Sequence, residues 1–109
     1  MKKYLELHYT DSELSVKDLA GAVHLSYIQF YRKFKALTGI NAREYIRSFR
    51  MEKAANLLIK DSKVSINEVM YSVGYSSQSY FTSAFKKEFG KTPVQFKKTN
   101  IDPNKETEL

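Results

Sequence analysis

The sequence predicts an all-α fold, and three observations predict it. Capping residues and glycines punctuate the chain at helical intervals. Between those stops, apolar residues recur three and four positions apart. The chain also repeats itself. Ser15, Val16, Leu19 and Val23 return as Ser65, Ile66, Val69 and Val73. With one inserted residue, Ser26, Phe30, Phe34, Lys35, Gly39 and Tyr45 return as Ser77, Phe81, Phe85, Lys86, Gly90 and Phe96. Each copy is a capped helix, a short turn and a second capped helix with a polar, partly basic outer face, which is a helix-turn-helix unit. The expected architecture has about seven helices. Two such subdomains, residues 1–40 and 61–100, flank a linker helix over 41–60, and residues 101–109 form a disordered acidic tail.

Taken in order, residues 2–8 read as a short helix with Tyr4, Leu5 and His8 on one side. Ser15 caps a second helix, with Asp18 near its positive end and Val16, Leu19, Ala20 and Val23 as its apolar stripe. Ser26 caps a third, which buries Phe30, Phe34 and Leu37 and closes at Gly39. Asn41 opens a fourth helix reaching Lys60, about 28 Å long at about 1.5 Å per residue. Its apolar residues fall into two patches, Ala42, Tyr45, Ile46 and Phe49, then Ala54, Leu57 and Leu58, so it serves a different core at each end. Ser65 caps a fifth helix with Ile66, Val69, Met70 and Val73 inside. Gly74 supplies a positive φ for the next turn. Ser76 or Ser77 caps a sixth helix with Phe81, Phe85 and Phe89 on one stripe, ended by Gly90. Residues 91–98 are a loop and a last helical turn, anchored by Val94 and Phe96.

Composition narrows the function. With no cysteine in 109 residues, disulfides, thiolate metal sites and a cysteine nucleophile are excluded, which fits a cytoplasmic location. His8 and His24 are too few and wrongly spaced for zinc, and no catalytic triad, phosphate loop or cofactor motif is visible. No apolar run is long enough to span a membrane. The formal charge is +6. The tail holds Asp102, Glu106 and Glu108 against Lys105, a net −2, so residues 1–100 carry +8. A basic compact body favours a polyanionic partner, nucleic acid before membrane.

The outer face of the sixth helix carries Ser79, Thr82, Ser83 and Lys86 and no acid, which suits base edges and phosphates. On the third helix, Ile28, Arg32 and Lys35 point outward with Tyr31 at the border. Arg32 has no acid within four residues and is the leading candidate to read guanine. Arg50 is expected to tie the subdomains together rather than touch DNA.

The run from Val69 to Phe96, with Val-Gly-Tyr-Ser, Ser-Tyr-Phe, Phe-Lys-Lys-Glu-Phe-Gly and Thr-Pro, resembles the signature of the AraC/XylS-type transcription regulators. Leu19-Ala20, Phe34-Lys35 and Thr38-Gly39 in the first copy support the resemblance, as do Arg50, Lys53-Ala54 and Leu57-Leu58 in the linker. It covers residues 2–98 and implies a sequence-specific regulator of double-stranded promoter DNA, an activator that contacts RNA polymerase. It also implies two recognition helices in adjacent major grooves. Carried over residue by residue, the base-contacting positions are Ile28, Tyr31 and Arg32, with Gln78, Ser79, Thr82 and Ser83. Phosphate contacts fall to Ser26, Lys35, Ser77, Lys86 and Lys87. The family's effector-binding or receiver domain is absent from these residues. His24 stands where the family more often has glycine, and Met70 where it has a small residue.

Because the copies follow one another along the chain, the expected target is asymmetric. Recognition helices of paired units sit about 34 Å apart on DNA. A linker of about 28 Å falls short of that, so the DNA is expected to bend toward the protein or one helix to engage poorly. The competing function is a helical interaction module that sets Tyr27, Ile28 and Tyr31 against an acidic protein partner.

Overall fold

The computed structural model describes residues 2–61 and 63–99. The tail expected over 101–109 lies outside them. Seven helices are described: α1 (Lys2–His8), α2 (Val16–Ala22), α3 (Tyr27–Thr38), α4 (Ala42–Lys60), α5 (Ile66–Ser72), α6 (Gln78–Phe89) and α7 (Pro93–Thr99).

Local chemistry sets the boundaries. The Ser26 hydroxyl accepts from the Gln29 N–H at 3.2 Å, and Gln29 Oε1 accepts from the Ser26 N–H at 3.0 Å, a reciprocal cap for α3. Asp18 plays the same returning role for α2, accepting from the Ser15 N–H at 2.9 Å. Asn41, Ser65 and Ser77 each accept a backbone N–H three residues on. Gly39 and Gly90 close α3 and α6 in the left-handed region, at φ 80° and 75°. Each cap of this kind contributes about 1 kcal/mol, so the helix ends are well determined without tertiary help.

Packing then builds two cores. Leu5, Val16, Leu19, Ala20, Phe30 and Phe34 close over Ala42 and Ile46 at the start of α4. Val69, Met70, Val73, Phe81, Ala84 and Phe85 close over Met51, Ala54, Ala55 and Leu58 at its end. Aromatic rings carry much of the second core: Phe85 sits 4.7 Å from Phe89 and 5.2 Å from Phe96 between centroids. One 19-residue rod is thus shared by two cores. The molecule is elongated, 54 × 25 × 24 Å.

Three expected core residues are on the surface instead. Leu37 is 87 % exposed, because the buried stripe of α3 ends at Phe34 and the last turn, where the Thr38 hydroxyl donates to the Phe34 carbonyl at 2.8 Å, lies beyond the core. Val23 caps the end of α2 outside the helical rotation and is 40 % exposed beside Leu7 and Tyr4. Val94 is 50 % exposed, while Pro93 is buried and begins α7.

The turn between α2 and α3 bends through His24 at φ 59°, the one non-glycine with positive φ among the described residues. Its counterpart in the other copy is Gly74. A left-handed non-glycine costs about 1–2 kcal/mol, and a glycine returns part of that as unfolded-state entropy. Since His24 is exposed, His24→Gly is expected to stabilise the fold by about 0.5–1 kcal/mol, a rise of a few degrees in Tm by circular dichroism. An unchanged or lower Tm would show that the histidine side chain makes good its backbone strain.

Candidate nucleic-acid interface

The helices expected to face DNA present the expected side chains. On α3, Ile28 is 60 % and Tyr31 38 % exposed, and Arg32 and Lys35 are exposed beside them. On α6, Gln78, Ser79, Ser83, Lys86 and Lys87 are exposed, and Thr82 is half-buried. Thr82 therefore offers only the rim of its side chain, a narrower contribution than its place on the helical wheel suggests. The hydroxyl oxygens of Ser26 and Ser77 accept the caps of α3 and α6, and the Ser26 N–H is taken by Gln29 Oε1, so it is the two hydroxyl protons that are open to a phosphate.

Between these two helices lies a groove of about 640 Å³. Ile46, Arg43, Arg47 and Arg50 of α4 line it, with Val16 and Lys17 of α2. Tyr27 lines it from the first turn of α3, and Tyr80, Ser83, Ala84 and Lys87 from α6. Its lining includes five cations and no carboxylate. A second groove, of about 340 Å³, runs along another face of α4 and mixes signs: Lys2 and Lys53 with Glu6 and Glu52. There Lys53 meets Glu6 at 2.8 Å, the one ion pair among the described residues. The three arginines of α4 are thus gathered on the side that faces between α3 and α6.

Two of the residues expected at the interface, Ser83 and Lys87, line this groove. Ile28, Tyr31, Arg32, Lys35, Gln78, Ser79, Thr82 and Lys86 lie outside its lining, on α3 and α6. Lys17, Arg43, Arg47 and Tyr80 had no role from sequence reasoning. The signal for them was present, since Arg43, Arg47 and Arg50 recur at steps of four and three, one face of a helix.

At the inner end of the groove Arg50 is buried. Its Nε donates to the Tyr9 carbonyl at 3.1 Å and its Nη2 to the Asp11 carbonyl at 2.7 Å, while the guanidinium lies 5.7 Å from the Tyr75 ring centroid. Burial lowers its pKa from the ordinary arginine value, opposed by the charges of Tyr75 and Asp11. Burial likewise raises the Tyr75 phenol, opposed by Arg50 and Arg47. Arg50 thus bridges the loop after α1 to the turn before α6. Among the described residues no cluster of histidine and carboxylate side chains could hold a metal ion, and no helix is long and apolar enough to cross a membrane.

Comparison with known proteins places this geometry. The sequence profile of a family described as a helix-turn-helix domain matches residues 19–99. The chain is 39 % identical over 98 residues to the Msm operon regulatory protein of Streptococcus mutans, covering 90 % of this chain and 34 % of that protein. It therefore spans about a third of that relative's length. The C-terminal domain of AraT, a response regulator from Geobacillus stearothermophilus, superposes with a TM-score of 0.86 at 34 % identity, over 93 % of this chain and 83 % of that one. The DNA-binding domain of AdpA, solved in complex with a target DNA, shares the fold with a TM-score of 0.82 at 23 % identity, over 90 % and 86 %.

Proposed function

This chain belongs to the AraC/XylS-type helix-turn-helix family, and from that premise we propose that it binds double-stranded promoter DNA sequence-specifically as a transcription regulator. The observation that carries the reading is the pair of exposed helix faces, α3 and α6, set on one helical rod with a groove between them whose charged residues are all cations. Ile28, Tyr31 and Arg32 read bases in one major groove, and Gln78, Ser79, Ser83 and the rim of Thr82 in the next. Lys35, Lys86, Lys87 and the hydroxyls of Ser26 and Ser77 hold phosphates. Residues 1–40 and 61–100 act as the two reading units and 41–60 as the spacer. The site is asymmetric, and the DNA bends toward the protein to make up the short span of α4. The whole protein acts as an activator that contacts RNA polymerase, its effector or receiver domain lying outside these residues. No catalytic step is assigned.

Selection of bound duplexes from a random pool tests this. A single asymmetric motif is the expected product. An Arg32→Ala variant should lose about 1–3 kcal/mol of discrimination at one base pair and keep the rest of the motif. Failure to enrich any duplex, with binding to an acidic polypeptide instead, would overturn the reading.

A further inference from the structure

We propose that the groove over α4 is a clamp for the DNA backbone between the two half-sites, with Arg43 and Arg47 holding the phosphates there. The proposal rests on the two-helix reading above and adds residues that reading does not use. Its first support is position. When two helices enter successive major grooves on one side of a duplex, the minor groove between them faces the protein, and its lips are phosphates. Tyr27 of α3 and Ser83 and Lys87 of α6 form opposite walls of the groove, so whatever the two helices hold must pass over Arg43 and Arg47.

The second support is charge. Lys17, Arg43, Arg47 and Lys87 line one space, and none has an ion-pair partner among the described residues. The third is an unsatisfied group. The Nε–H of Arg47 is buried and makes no hydrogen bond, although the neighbouring Arg50 uses its Nε on the Tyr9 carbonyl. A buried donor is normally partnered, so nothing holds this edge inward, and once the Arg47 guanidinium turns into the groove its edge matches a phosphate in two parallel hydrogen bonds. Neutralising phosphates on the inner side only also removes the repulsion that resists closing the minor groove there. That eases the bend demanded by a linker of about 28 Å.

The test measures the salt dependence of binding to a selected duplex and to a scrambled one. Each lost phosphate contact lowers the slope of log K against log salt by about 0.9. Arg43→Gln, at an exposed position, should lower it by about 0.9, and Arg43→Gln with Arg47→Gln by about 1.8. Both duplexes should weaken by the same factor, so that their ratio is unchanged. The second arm leaves the wild-type protein intact and replaces the phosphates between the half-sites with neutral methylphosphonates. These should weaken the wild type and leave the double variant unaffected. An unchanged slope in Arg43→Gln, or methylphosphonates that weaken both proteins equally, would overturn the clamp while leaving the two-helix reading standing. A wild-type protein that binds no duplex would instead remove the reading itself.

Discussion

Replacing Gly74 by alanine is expected to cost about 3–5 kcal/mol, the sum of backbone strain and overpacking. Gly74 is buried at φ 88°, and an added Cβ would lie 2.6 Å from the Tyr9 carbonyl oxygen and 3.2 Å from Arg50 Nη2. The nearest obstacle is backbone, which cannot swing aside. Relief would require the loop after α1 to move off the second subdomain, taking the Arg50 hydrogen bonds with it. A domain of this size is stable by only about 5–15 kcal/mol, so the loss is a large share of the whole. Gly39 and Gly90 provide the control. They too have positive φ, but a Cβ at either meets nothing within 4 Å. Their alanine variants should cost about 1–2 kcal/mol each, from strain alone. Melting by circular dichroism should place Gly74→Ala at least about 4 °C below either of them. Three equal losses would mean that the close approach of the subdomains at Gly74 contributes nothing.

That comparison also shows what the sequence could and could not disclose. The caps and left-handed glycines were legible because they are local: a serine with its acceptor, a glycine with its φ. The two cores on α4 were legible because its apolar residues split into two patches. Periodicity within one helix puts Leu37 and Val23 inside, yet the repeat marks Leu37 and Val94 as surface positions. The counterpart of Leu37 is Glu88, which is exposed and accepts from the Ser48 hydroxyl at 3.2 Å. The counterpart of Val94 is the exposed Arg43, and that of the buried Pro93 is the buried Ala42. Val23 is the exception. Its counterpart Val73 is fully buried, so no pattern within the chain separates them. What no pattern contains is the space between elements. The groove that collects Lys17, Arg43, Arg47 and Lys87 exists only once α2, α4 and α6 are docked, and the carbonyls that hold Arg50 come from residues some forty positions away.

The second large effect is expected at Arg50. Arg50→Met removes two charge-assisted hydrogen bonds and leaves the Tyr9 and Asp11 carbonyls without that donor, at an expected cost of about 3–4 kcal/mol. Arg50→Lys keeps the charge but not the planar fork. One ammonium cannot match both carbonyls and lie against the Tyr75 face in the geometry of the guanidinium, so less than half of the loss should be recovered. The mode of unfolding should change as well. The two subdomains meet directly around Arg50, Gly74 and Tyr9, which packs on the second core; α4 is the shared element beside them. With Arg50 gone, hydrogen exchange at Leu19 in one core and Phe85 in the other should report separate opening free energies rather than one. DNA binding then distinguishes a tie from a mere stabiliser. If Arg50 holds α3 and α6 at a fixed mutual angle, Arg50→Met should weaken binding to the full site by roughly tenfold or more through lost effective concentration. It should leave the affinity for an isolated half-site unchanged, at a temperature where the variant is fully folded. Equal losses on full and half sites would place Arg50 in a single reading unit, and the fixed angle between the helices would then have to come from α4 alone.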